Sequence, residues 1–117
     1  MNFENISVLR IYFSYGQKVI NLSFWQNLWY NNLGQHLLKK AKDLNIEQAN
    51  IFIAKAGYLN NEKVSNNISE IPPSQNPVCL ELIDKQEKLK LFIEQNKENL
   101  KEAKLILLKP NNEIIQC

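Results

Sequence analysis

A chain of 117 residues with 44% hydrophobic and 22% charged content is long enough to bury a core of its own without disulfides or metal, so we read residues 1–117 as a single domain. The net charge of +2 and the presence of one arginine, Arg10, argue against nucleic acid or an anionic membrane surface as the partner. No run approaches the roughly 18 apolar residues of a membrane span, the first ten residues lack a secretion signal, and the two cysteines, Cys79 and Cys117, form no framework, so a reducing cytoplasmic setting is expected.

The first predicted strand is Ile6 to Phe13. Leu9, Ile11 and Phe13 point one way and Val8, Arg10 and Tyr12 the other, and its β-branched and aromatic content suits a central strand covered on both faces. Residues 14–32 are less regular. They hold Trp25 and Trp29 with Phe24, Leu28 and Tyr30, an aromatic cluster that needs cover, either as a flap on the core or beneath another subunit.

From Leu33 the period becomes helical: Leu33, Leu37, Ala41 and Leu44 make one stripe. Asn45 offers a left-handed C-cap on which Ile46 folds back. The next residues alternate, with Ala49, Ile51 and Ile53 against Asn50, Phe52 and Ala54, a strand that runs to Ala56-Gly57. Residues 59–77 then form a polar loop longer than compact domains usually carry, so it is expected to be a mobile, hairpin-like functional excursion. Val64, Ile68 and Ile71 are its expected apolar anchors, and Pro72, Pro73 and Pro77 stiffen its return.

Val78 to Ile83 is the next strand, in which Cys79 is expected to be a small core residue. Asp84 with Glu87 reads as a capping box opening a helix to Glu94–Lys97, with Leu89, Phe92 and Ile93 as its buried face. Leu105 to Leu108 is the last strong strand; Pro110-Asn111-Asn112 predicts a turn, and Ile114-Ile115 a short edge strand. The order strand-helix-strand, repeated, is the βαββαβ plan of an α+β, ferredoxin-like sandwich: an antiparallel sheet with two helices on one face.

No nucleophile–base set, carboxylate pair or phosphate loop stands out, and the chain is expected not to be an enzyme. His36, the one histidine, has no partners at ligand spacing, so no metal is expected. A ferredoxin-like nucleic-acid-binding module, or a small enzyme with no recognisable motif, is the alternative.

Leu9-Arg10-Ile11-Tyr12, the run from Pro77 to Asp84, and the turn Lys55-Ala56-Gly57-Tyr58-Leu59 resemble the PII-like bacterial family known as domain of unknown function 190, related to the PII nitrogen-regulatory proteins. The resemblance implies a regulatory, signalling homotrimer in which the open sheet faces inward, with Val8, Arg10 and Tyr12 at the subunit interface. It implies that a small anionic ligand or nucleotide sits in clefts between subunits, at the base of the 59–77 loop, and that this loop engages a target protein. Lys55, Gly57, Tyr58, Lys63, Lys101 and Lys104 are the candidate ligand-binding residues. The family's glycine-rich turn is reduced here to Gly57, and Asn96–Lys104 lacks a glycine turn, so no cofactor is expected and adenine nucleotides are expected to bind weakly or not at all.

Overall fold

The computed structural model describes residues 2–20 and 32–116, so the aromatic segment 24–30 lies outside the described residues, as does Cys117. Four long strands form one antiparallel sheet: β1 (Asn2–Ser14), β2 (Gln48–Ile53), β5 (Pro77–Asp84) and β6 (Lys104–Gln116), in the order β2-β5-β1-β6. Between β2 and β5 a small hairpin pairs β3 (Ala56–Gly57) with β4 (Ser65–Asn66). Helix α1 (Leu33–Asp43) precedes β2, helix α2 (Gln86–Gln95) follows β5, and a short 3-10 turn, Lys97–Leu100, leads to β6. This is the ferredoxin-like α+β arrangement, with the first and third long strands central.

The core lies between the helices and one sheet face. Leu9 and Ile11 of β1, Leu80 and Leu82 of β5, Leu37 and Ala41 of α1, and Leu89 and Phe92 of α2 are fully buried. Burial on this scale contributes roughly 2 kcal/mol for each large side chain. Helix α1 begins where Asn32 Oδ1 accepts from Gln35 N at 3.1 Å and ends as its sequence predicts. Asn45 has φ 59°, Asn45 N donates to Lys42 O and Ile46 N to Ala41 O, and Ile46 folds into the core.

Several expectations are corrected. Among the described residues β1 is covered by helices on one face only, and they leave its other face open. Cys79 lies on that open face, half-buried, because Val78, Leu80 and Leu82 take the core positions of β5. Asp84 does not build a capping box on α2. Its Oδ1 accepts from Lys85 N at 2.6 Å and its Oδ2 from Glu47 N at 2.8 Å, so it ties the entry of β2 to the exit of β5. The expected turn at Pro110-Asn111-Asn112 is a register irregularity within one continuous strand: Val8 pairs with Leu108 and Ile6 with Asn112.

His36 is half-buried on α1, and desolvation, then the charges of Lys40 and Lys39, lower its pKa. The unfolded chain therefore takes up this proton more readily than the folded one. Stability is expected to be fully present above the ordinary histidine value and to fall as pH drops below about 6.5. Denaturation midpoints at stepped pH check this, and His36→Gln should remove that part of the slope.

Candidate functional site

Among the described residues two surfaces stand out beside the core: the open sheet face and the hairpin at one end of the sheet. The register sorts the open face into three rows. Phe52, Cys79, Tyr12 and Lys104 form the row nearest the hairpin; Asn50, Glu81, Arg10 and Ile106 form the middle row; Gln48, Ile83, Val8 and Leu108 form the third. The face is mixed, with Arg10, Glu81, Asn50, Gln48 and Lys104 among apolar side chains. Phe52 is 54% exposed, Ile106 42% and Leu108 39%, with Val8, Tyr12 and Ile83 half-buried.

At its centre Arg10 Nε donates to Glu81 Oε2 at 3.1 Å. That bond, and then Tyr12, holds the guanidinium above its already high ordinary pKa. Burial pushes the Cys79 thiol up, against the lowering effect of the Tyr12 hydroxyl and Arg10, so the thiol stays protonated and is a poor nucleophile at neutral pH. The face therefore offers apolar side chains around a central ion pair, with Gln48, Asn50 and Lys104 toward its edges.

The hairpin is held at its base by polar groups that the sequence did not single out. Asn76 is fully buried. Its Nδ2 donates to Ala54 O at 2.9 Å, its Oδ1 accepts from Ser65 Oγ at 3.1 Å, and its carbonyl accepts from Tyr15 N at 2.8 Å. Gly16 N donates to Ser74 O at 2.7 Å, and a Cβ on Gly16 would stand 2.7 Å from Ser74 Cβ, so only glycine allows this approach. Asn60 and Asn61, with φ of 51° and 62°, make the tight turn at the tip. The signal for Asn76 in the sequence was faint: an asparagine before Pro77 at the start of a strand.

The expected anchors are not anchors. Val64 is 61% exposed, Ile68 89% and Ile71 75%, because Ser65 and Asn76 occupy the interior of the loop. With Tyr58, 56% exposed, they leave an apolar fringe on the hairpin.

Of the candidate ligand residues, Lys55, Gly57, Tyr58 and Lys63 lie together on the hairpin and its base. Gly57 has no positive φ, and a Cβ there would make ordinary contact with Pro77 Cγ at 3.5 Å, so the backbone does not require glycine at this point. Lys101 is ion-paired to Glu98 at 2.8 Å, and Lys104 opens β6 opposite Tyr12. β2 and β6 are opposite edges of the sheet, about 14 Å apart at ordinary strand spacing. One protomer therefore does not bring the two groups together. Among the described residues no cluster of histidine, cysteine or carboxylate side chains is arranged to hold a metal ion. Among them, too, no helix is long and apolar enough to cross a membrane.

Comparison with known proteins follows the same lines. The family model described as Uncharacterized ACR, domain of unknown function 190, matches residues 6–112. The UPF0166 protein of Aquifex aeolicus (strain VF5) is 36% identical over 63 residues, which are 54% of this chain and 60% of that protein. The match thus spans less than two thirds of that relative's length. A Thermus thermophilus protein described as PII-like superposes with TM-score 0.58 at 15% identity, covering 97% of this chain and 91% of its own. The nitrogen regulatory PII-like protein CPII of Thiomonas intermedia K12, solved with ADP, AMP and bicarbonate bound, superposes with TM-score 0.57 at 8% identity, covering 97% and 89%. At these identities the structural likeness is one of fold.

Proposed function

This chain belongs to the domain of unknown function 190 family, and on that premise we propose that it is a PII-like regulatory protein, not an enzyme, acting as a homotrimer. In this reading Val8, Arg10 and Tyr12 are buried between subunits, and the 59–77 hairpin engages a partner protein. The observation that carries the reading is the open sheet face. Among the described residues its two central strands, β1 and β5, bear helices on one side only, and the other side sets Phe52, Val8, Ile83, Ile106 and Leu108 around the Arg10–Glu81 pair, with Gln48, Asn50 and Lys104 among them. Monomeric proteins rarely expose contiguous apolar patches beyond a few hundred Å². The hairpin suits recognition because its base is bonded to the sheet while Tyr58, Val64, Ile68 and Ile71 face outward.

Assembly would also explain the divided ligand residues. Lys55, Gly57, Tyr58 and Lys63 of one subunit would face Lys104 of the next, with Lys101 available once it leaves Glu98, around a small anion. Lysines offer point charges without the fork that grips phosphate in two places, and Gly57 is not in a phosphate-cradling conformation. Adenine nucleotides are therefore expected to bind weakly or not at all.

Light scattering with calorimetry tests both parts. A trimer mass at micromolar concentration supports the assembly, and a monomer mass would sink it. Submicromolar binding of ATP, ADP or AMP would overturn the expectation of weak nucleotide binding and leave the assembly reading untouched.

A further inference from the structure

Three connecting segments meet at the hairpin end of the sheet. Residues 15–20 leave β1, residues 73–76 close the hairpin and enter β5, and residues 96–103 lead into β6. The strand order places β1 between β5 and β6, and the segment leaving it is bonded to both of the others. On one side Tyr15 N donates to Asn76 O at 2.8 Å and Gly16 N to Ser74 O at 2.7 Å. On the other, Ile20 N donates to Asn99 Oδ1 at 2.6 Å.

The segment has little slack. Gln17 N donates to Ser14 O at 3.0 Å, which closes a turn at its start. From Gly16 to Ile20 there are four residue steps, a reach of at most about 14 Å. β5 and β6 are two strand spacings apart, roughly 10 Å. Val19, between the two sets of bonds, is 8% exposed, belongs to the core, and is the one buried side chain of residues 15–20.

Both ends of this strap are firm. A Cβ on Gly16 would stand 2.7 Å from Ser74 Cβ, so the backbones there are in close contact. Asn99 N donates to Asn96 O, the buried Asn96 donates its Nδ2 to Phe92 O at 2.9 Å, and Leu100 is buried. Asn99 is thus carried on a turn fixed to α2. A short chain held at both ends and fastened once in the middle opens as a unit: loss of either end frees Val19 to leave the core, and its departure loosens the other end.

We infer that residues 15–20 are a strap coupling the hairpin base to the 96–103 turn, with Val19 in or out of the core as its two states. Lys101 lies two residues beyond Asn99 and Lys104 opens β6, so an anion that engaged them would be felt in the hairpin. That use of the strap rests on the function proposed above, whereas the coupling is a property of the unliganded chain and is reciprocal.

Amide hydrogen exchange on the full chain and three variants tests it. Asn99→Ala removes the acceptor of Ile20 N. It is expected to speed exchange about fivefold at Ile20, and equally at Tyr15, Gly16 and Asn67, whose N–H donates to Lys55 O across the hairpin. Gly16→Ala acts at the other end and should speed the amides of Asn99 and Ala103. Val19→Ala should speed both sets about tenfold. Amides of 9–11 and 80–82 should keep their rates in all three variants. Acceleration confined to the altered end would overturn the coupling, because Val19 would then pin the strap and isolate its ends. Equal acceleration at 9–11 and 80–82 would also overturn it, as a general loss of stability. Light scattering on the same samples reads the assembly separately: a monomer with the shared acceleration keeps the strap and sinks the trimer alone.

Discussion

Asn76→Ala is expected to destabilise the fold by about 3 kcal/mol, because removing one amide takes the partner from two groups at once. Asn76 is fully buried, and its side chain both accepts from Ser65 Oγ and donates to Ala54 O. A replacement alanine takes this partner from the Ser65 hydroxyl and the Ala54 carbonyl. The loss should fall unevenly. Ser65→Ala removes one of the two bonds and is expected to cost about 1 kcal/mol. Chemical denaturation gives the two values, and hydrogen exchange locates the loss: in Asn76→Ala, amides at 54–57 and 65–66 should exchange faster while those of 9–11 and 80–82 change little. An Asn76→Ala protein as stable as the original would mean that the hairpin base is not held by this side chain.

The second large effect is on assembly. Val8 lies on the open face, half-buried, level with Ile83 and Leu108 and one row from the Arg10–Glu81 pair. In the proposed trimer that face is covered, so Val8→Asp would bury an unpaired carboxylate in each subunit, at several kcal/mol apiece. The mass at micromolar concentration is expected to fall about threefold, with far-ultraviolet circular dichroism unchanged, because residue 8 points away from the core formed by Leu9 and Ile11. Lys63→Asp, on the exposed part of the hairpin, should leave the mass alone. If Val8→Asp kept the mass of the original chain, the open face would not be the assembly surface.

The periodic part of the sequence was enough for most of the fold. The α1 stripe, the left-handed Asn45, the alternation in β2 and β5 and the duplicated strand-helix-strand order rest on local spacing and on one residue's φ preference, and they were legible for that reason. The split of β1 into Leu9-Ile11-Phe13 and Val8-Arg10-Tyr12 was legible too, because a strand's period of two leaves no other division. Which set met the helices came from the family resemblance, which put Val8, Arg10 and Tyr12 on the open face, whereas the side taken by Cys79 was a matter for the tertiary structure: the register of β5 against β1 puts Leu80 inside and the thiol out.

The hairpin shows the limit most clearly. Hydrophobicity pointed to Val64, Ile68 and Ile71 as its anchors, yet the folded chain turns them outward and buries Ser65 and Asn76 instead. A polar anchor depends on where groups from distant segments converge, here the Ala54 carbonyl, the Tyr15 backbone N–H and the Ser65 hydroxyl around Asn76, and no local pattern encodes that convergence. The same holds for Asp84, whose carboxylate reads as a cap in sequence but binds Glu47 N across a separation of 37 residues. The candidate lysines were visible as residue types, whereas their division between opposite edges of the sheet follows from strand order. Local period thus determined the elements and the class of fold; only the tertiary structure decided which polar groups close it and which surfaces it leaves bare, because those depend on contacts made between segments far apart in the chain.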